Sequence, residues 1–148
     1  MTPRSVLTSG MILGMALASA ASAAIPSSTE LEVNSLLEYV GASGCEFYRN
    51  GTWYDSKHAQ AHLLMKYQIL VRRNLITSSE DFIALAASKS SITGQLYGIR
   101  CNDGAVEASA HWLSAELARL RARGAARVLR AAPPIDLAKS ALTISRLS

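Results

Sequence analysis

Residues 43–55 read SGCEFYRNGTWYD, and this stretch limits how the rest of the chain can be arranged. Cys45 and Phe47 alternate with Glu46 and Tyr48, a period of two that predicts a strand with one face turned to a core. Asn50-Gly51 supplies the two positive-φ residues of a type I′ turn, and Thr52-Trp53-Tyr54 runs back as the second arm of a hairpin. The chain has two cysteines, so the only intrachain partner for Cys45 is Cys101.

What precedes the hairpin indicates an oxidising compartment. Residues 1–23 carry Arg4, an apolar and small-residue run over 11–20 and the small-x-small end Ala21-Ser22-Ala23, the pattern of a cleaved secretory signal peptide. The run is shorter than the roughly 20 apolar residues a membrane anchor needs. A lipoprotein is disfavoured because the first cysteine, Cys45, lies far beyond such a cleavage site. Two cysteines in an exported chain usually pair, and closing a loop of this length contributes roughly 4 kcal/mol in the chain-entropy account. The rival reading, a reactive or metal-binding thiol, would need a reducing compartment or more ligands.

Residues 24–123 are expected to form one domain, with 124–148 as a basic, disordered tail. Charge divides along the same line. Residues 24–118 hold seven Lys/Arg against ten Asp/Glu, whereas 119–148 hold seven against one. The pI near 9.3 thus averages a mildly acidic domain and a basic end.

Ser27 and Glu30 have capping-box spacing, and Leu31, Val33, Leu36, Leu37 and Val40 follow at helical spacing to Gly41, the expected left-handed C-cap. After the hairpin, Asp55 or Ser56 can cap a helix over 57–73, expected to be the longest of the core, with Ala59, Leu63, Tyr67 and Leu70 inward. Thr77 and Glu80 repeat the capping-box spacing and start a short third helix through Phe82, Ile83 and Ala86, ended by the polar run 88–91. Residues 96–101 alternate as a strand that should pair with the hairpin if the cysteines bridge, since a disulfide holds its Cα atoms within about 7 Å. Ser109 can cap a last helix with Trp112, Leu113, Leu117 and Leu120 inward, weakened at Gly124 and stopped by Pro133-Pro134. The fold class is α+β: a small antiparallel sheet, hairpin plus one further strand, packed on three to four helices with one disulfide.

Taken together, SGCEFYRNG, AQAHLLMKY, SSEDFIALAASKSSITGQLYGIRC and the Trp-Leu helix resemble the YfeK-like family of small exported bacterial proteins of unknown function, over about residues 33–121. The chain departs at Leu96, where the resemblance would put proline before the tyrosine, and its end beyond Arg123 lies outside the likeness. The resemblance implies a periplasmic protein with a Cys45–Cys101 disulfide, and it implies no activity.

Several residues could carry chemistry, each beside a plainer reading. His58 and His62 stand i, i+4 on one helix, and Asp55 or His111 could complete a zinc set, but the Glu of an H-E-x-x-H pattern is missing. Ser90 or Ser91 with His62 and Asp55 would make a Ser/His/Asp hydrolase, yet no nucleophile elbow exposes a serine. Asn50-Gly51-Thr52 fits the N-glycosylation pattern, and the turn accounts for it. Arg49, Lys66 and Arg100 could converge beside Tyr48, Tyr54 and Tyr97 on an anionic ligand, or pair with Glu46 and Asp55 as surface ions. Arg119, Arg123, Arg127 and Arg130 fall within an arc of about 80° if the last helix continues, a face suited to anionic lipid or simply to solvent.

The expectation is therefore a periplasmic, non-catalytic binding or envelope-associated module, with a small Ser/His/Asp hydrolase as the alternative. No catalytic residue, metal or cofactor is assigned, and the candidate ligand-binding residues are Arg49, Lys66, Arg100, Tyr54 and His62. The expected partners are anionic envelope lipid or a periplasmic protein rather than nucleic acid, with the chain itself a monomer. A cleft shared by His62, Asp55 and Ser91 would favour the enzyme.

Overall fold

The hairpin forms as its sequence requires. In the computed structural model, which describes residues 24–131, β1 (Glu46–Arg49) and β2 (Thr52–Tyr54) pair antiparallel with Tyr48 opposite Trp53. Asn50 at φ 49° and Gly51 at φ 88° make the turn. A β-branched residue at such a φ is strained, so Gly51→Val is expected to lower stability by at least about 1 kcal/mol. An unchanged urea midpoint would show that the turn tolerates a side chain there.

β3 (Gly98–Arg100) pairs antiparallel with β1, placing Ile99 opposite Phe47 and Arg100 opposite Glu46. Cys45, just before β1, and Cys101, just after β3, are thereby brought to a Cα separation of 4.4 Å and are joined in a disulfide. The sheet has a fourth strand that the sequence pattern did not predict, β4 (Glu107–Ala108), and runs in the order β2-β1-β3-β4 without closing. Two residues are too few to display alternation. What admits β4 is Gly98, where a Cβ would stand 3.0 Å from the Val106 side chain. The expected strand is also shorter at its start, because Leu96 is exposed and bridges only to Lys89.

Four helices pack on the sheet: α1 (Ser27–Ala42), α2 (Ser56–Arg72), α3 (Ser79–Phe82), continued by a π-helical turn over Ile83–Ala87, and α4 (Ser109–Ala131). Their shared core contains Val33, Leu36 and Val40 of α1, Leu63 and Tyr67 of α2, Phe82 of α3, and Trp112, Leu113 and Leu117 of α4. Trp112 stacks on Tyr39 at 4.3 Å and meets Phe47 edge-on at 5.9 Å, so one indole ties α1, α4 and β1 together. The π-helical turn spreads its residues wider than an α-turn, burying both Ala86 and Ala87, and Ser88 Oγ donates to the Ile83 carbonyl at 2.7 Å across it.

Several local expectations are corrected. Ser27 forms no capping box, because Pro26 takes the extended N-cap position and its carbonyl accepts from Glu30 N at 3.1 Å, which makes Ser27 the first helical residue. Leu31 is off the buried face and 69% exposed. Gly41 is not the C-cap: α1 continues to Ala42 with Gly41 packed under the Gln60 side chain of α2, and Gly44 adopts the left-handed φ of 65°. The third helix is capped one residue later than expected, by Ser78 with Asp81. The Asp81 carboxylate accepts from Ser78 N and Thr77 N, while Glu80 is drawn away to Arg121. The longest helix is α4, with 23 residues against 17 in α2. It passes through Gly124 without a break; a single glycine costs only about 1 kcal/mol relative to alanine, and alanines and arginines flank it. The expected leader at 1–23, Pro133-Pro134 and the rest of 132–148 lie outside the described residues.

Candidate functional site

Strand parity decides which expected site residues can meet. Arg49 shares the inner parity of Phe47, and the register puts Tyr54 on that same face beside it. α2 starts immediately after β2, capped by Asp55, whose carboxylate accepts from His58 N at 2.9 Å. The helix therefore lays His62 and Lys66, one turn apart, against the end of the hairpin. Arg49, Tyr54, His62 and Lys66 come together, and Tyr97, which enters β3, completes the group.

Arg100 does not join them. It stands across from Glu46 on the other face, bonds that carboxylate through Nη2 at 2.6 Å and Nε at 3.2 Å, and rests 4.4 Å from the Trp53 ring centroid. Tyr48 likewise turns outward against Trp53, with ring centroids 5.3 Å apart. Of the two arrangements the sequence allows, Arg100 takes the surface ion pair with Glu46 and only Arg49 and Lys66 converge, because residues of opposite parity cannot share a face of one sheet.

The hydrogen bonds of the cluster have forced directions. Arg49 Nη1 lies 2.7 Å from His62 Nδ1. Arginine is a donor only, so Nδ1 must offer its lone pair and the imidazole is neutral with its proton on Nε2. Nε2–H then donates to the Tyr97 hydroxyl at 3.4 Å. Lys66 Nζ donates to the Lys89 carbonyl at 3.0 Å and lies 5.0 Å from the Tyr97 ring centroid, while the Arg49 guanidinium lies 4.8 Å from that of Tyr54. Burial, then Arg49, then Lys66 push the His62 pKa down to about 4. Burial and Arg49 bring Lys66 down to about 8. The Arg49 hydrogen bond lowers the Tyr54 pKa, and burial raises that of Tyr97. A cavity of about 30 Å³ lies here, walled partly by Phe47, Ala59 and Leu63, with space for one or two waters and not for a metabolite.

The residues proposed for a hydrolase are held apart by other bonds. Asp55 Oδ2 meets His58 Nδ1 at 2.7 Å, and both nitrogens of His62 are engaged by Arg49 and Tyr97. Ser90 is buried with its Oγ accepting from Ile92 N, Thr93 N and the Asn50 side chain, so it fastens the hairpin turn to the 90–95 loop; Ser91 is exposed. Thr93 Oγ1 donates to Asn50 Oδ1 at 2.8 Å, so the Asn50 side chain has a structural part beside its place with Gly51 in the turn. His111 bonds Glu107 at 3.1 Å, and among the described residues no three His, Cys, Asp or Glu side chains gather as a metal set.

Two ionic clusters on α4 were missed. Arg121 spans Glu32 of α1 and Glu80 of α3 with four hydrogen bonds of 2.6–3.3 Å, lowering both carboxyl pKa values. Glu116, only 4% exposed, accepts from Arg119 at 2.9 Å and Arg123 at 2.6 Å. Two of the four arginines expected on a lipid-facing arc are therefore committed within the domain. The excess of arginine in α4 was a signal; partners from distant helices carry none in one dimension. Among the described residues no helix is long and apolar enough to cross a membrane.

No curated protein matches the chain, and no solved structure does. The pattern of one family matches residues 27–121, which run from the first residue of α1 to the arginine that clamps α4 to α1 and α3, and the chain accordingly belongs to that family of unknown function, DUF5329.

Proposed function

We propose that the chain is an exported, non-catalytic binding module of the bacterial envelope, akin to the YfeK-like proteins. The observation that carries this reading is the Cys45–Cys101 disulfide, which staples the sheet across its central strand pair. Such bridges persist in oxidising compartments and are rare in the cytosol. The signal-peptide pattern of residues 1–23 gives independent support from the sequence. A binding role is favoured over hydrolysis because the groups that could have acted as acid, base or nucleophile serve as caps and ties instead.

The test is to express the full-length chain with a C-terminal tag in a bacterium with a periplasm, release the periplasm by osmotic shock and alkylate thiols under denaturing conditions. The expected result is a shortened chain in the shock fluid that takes up no alkylating agent until reduced. An unprocessed chain in the cytosol with two alkylated thiols would refute the reading.

A further inference from the structure

We propose that the cleft between the hairpin and α2 binds a dianionic oxyanion of the phosphate class through Arg49, Lys66 and Tyr97. This rests on the reading of the chain as a binding module and names the ligand chemistry of one site on it. Arg49 and Lys66 converge on one half-buried imidazole, and among the described residues neither has a carboxylate within 4.0 Å. Arg100 has Glu46, Arg121 has Glu32 and Glu80, and Arg119 and Arg123 share Glu116, while the other described arginines without such a partner, Arg72, Arg73, Arg127 and Arg130, are exposed to water; Arg49 and Lys66 are half-buried and have neither remedy in full. Aromatic rings compensate the two cations only partly, since a ring takes up no hydrogen bonds of the strength an anion does.

The hydrogen-bond directions point the same way. His62 spends its lone pair on Arg49 and its proton on Tyr97, so the Tyr97 hydroxyl hydrogen is left to point away from the imidazole. Lys66 uses one of three N–H groups on the Lys89 carbonyl, and Arg49 spends its bonds on His62 and the Tyr54 hydroxyl, which leaves further N–H groups of its five to donate. The surface thus offers donors without acceptors, which suits an acceptor-only ligand. Two cations match a dianion. The cavity of about 30 Å³ is too small to take it, so the ligand sits over the guanidinium and ammonium rather than among Phe47 and Leu63. Free phosphate and a phosphorylated envelope lipid share this chemistry.

The experiment is a titration of isotope-labelled exported protein, followed by amide and imidazole NMR at constant ionic strength. The probes are inorganic phosphate, sulfate and chloride, with vesicles of phosphatidic acid, a phosphomonoester lipid, in phosphatidylcholine as a separate arm. Phosphate and sulfate are expected to give saturable shifts at Arg49, His62, Lys66 and Tyr97 that chloride does not give. Lys66→Met should weaken sulfate binding about tenfold or more, the effect of losing a charge-assisted hydrogen bond, while Arg100→Gln should leave it unchanged. Sulfate does not titrate, so its affinity should fall between pH 7 and 9 as Lys66 loses its proton near 8. Of the other groups around Lys66, Arg49 stays charged, His62 stays neutral and Tyr97, whose pKa burial raises, keeps its proton over that range, while Arg49 lowers the pKa of Tyr54 across the cleft; the dependence should therefore be much reduced in Lys66→Met. Vesicle binding that inorganic phosphate displaces would place the ligand on a lipid headgroup, and phosphate binding without vesicle binding would make it soluble. Shifts no larger than those with chloride, shifts confined to Arg127 and Arg130, or wild-type affinity in Lys66→Met would overturn the site. None of these results touches export, which fractionation decides separately.

Discussion

Replacing both Cys45 and Cys101 with alanine is expected to lower the unfolding free energy by about 2–5 kcal/mol, the range for removing a native bridge from a small exported domain. The two residues stand 56 positions apart, and the whole of α2, α3 and the 88–97 loop lies between them. Without the covalent link the unfolded chain regains the freedom of that loop, while the folded chain must hold β1 against β3 through only three facing residue pairs. Burial of Cys45 adds a packing loss when its sulfur is removed. Urea unfolding of the oxidised, reduced and doubly substituted proteins measures this. The reduced and substituted forms should unfold at similar, lower urea concentrations. Equal midpoints for all three would mean that the helices alone hold the domain.

Legibility in the sequence followed the range of the interactions. The hairpin, the three long helices, the Cys45–Cys101 pair and the α+β class could be read because alternation, helical spacing and an Asn-Gly turn are local patterns, and two cysteines leave one pairing. Features that depend on what lies across the core could not. Gly41 looked like a helix end because nothing nearby in sequence shows that Gln60 will lie against it. β4 pairs with β3 where Gly98, having no side chain, leaves space for Val106 just before that strand, a close approach that neither segment shows alone. Within the candidate site, Arg49, Tyr54, His62 and Lys66 come together since the hairpin leads directly into α2, whereas whether Arg100 joins them or pairs with Glu46 depends on the register of β3 against β1, which the sequence leaves open. The partners of Arg121 come from two other helices, and no spacing rule connects residues 32, 80 and 121.

Between pH 6.5 and about 4 the domain is expected to lose up to about 3 kcal/mol through His62 alone, the free-energy equivalent of lowering its pKa from the ordinary value to about 4. The unfolded imidazole takes up a proton near 6.5, and the folded one resists because it is half-buried, faces Arg49 and Lys66, and has its Nδ1 lone pair occupied by Arg49. The unfolded chain therefore binds more protons throughout this window, so stability rises with pH across it and is fully present above 6.5. Lys66 acts with the same sign at the other end: its folded pKa near 8 lies below the ordinary 10.4, so stability rises again from about 8 to that value. The carboxyls of Glu32, Glu80 and Asp81, whose pKa values are lowered by their partners, lose their contributions only as pH falls below about 4.5, and the two effects can be separated. His62→Gln keeps an acceptor for Arg49 and removes the titration. Its unfolding free energy should be nearly flat from pH 6.5 to 5, where the wild-type protein declines by about 1 to 2 kcal/mol. Parallel slopes for the two proteins in that interval would show that His62 protonates freely in the folded state and that the Arg49 bond does not hold it neutral.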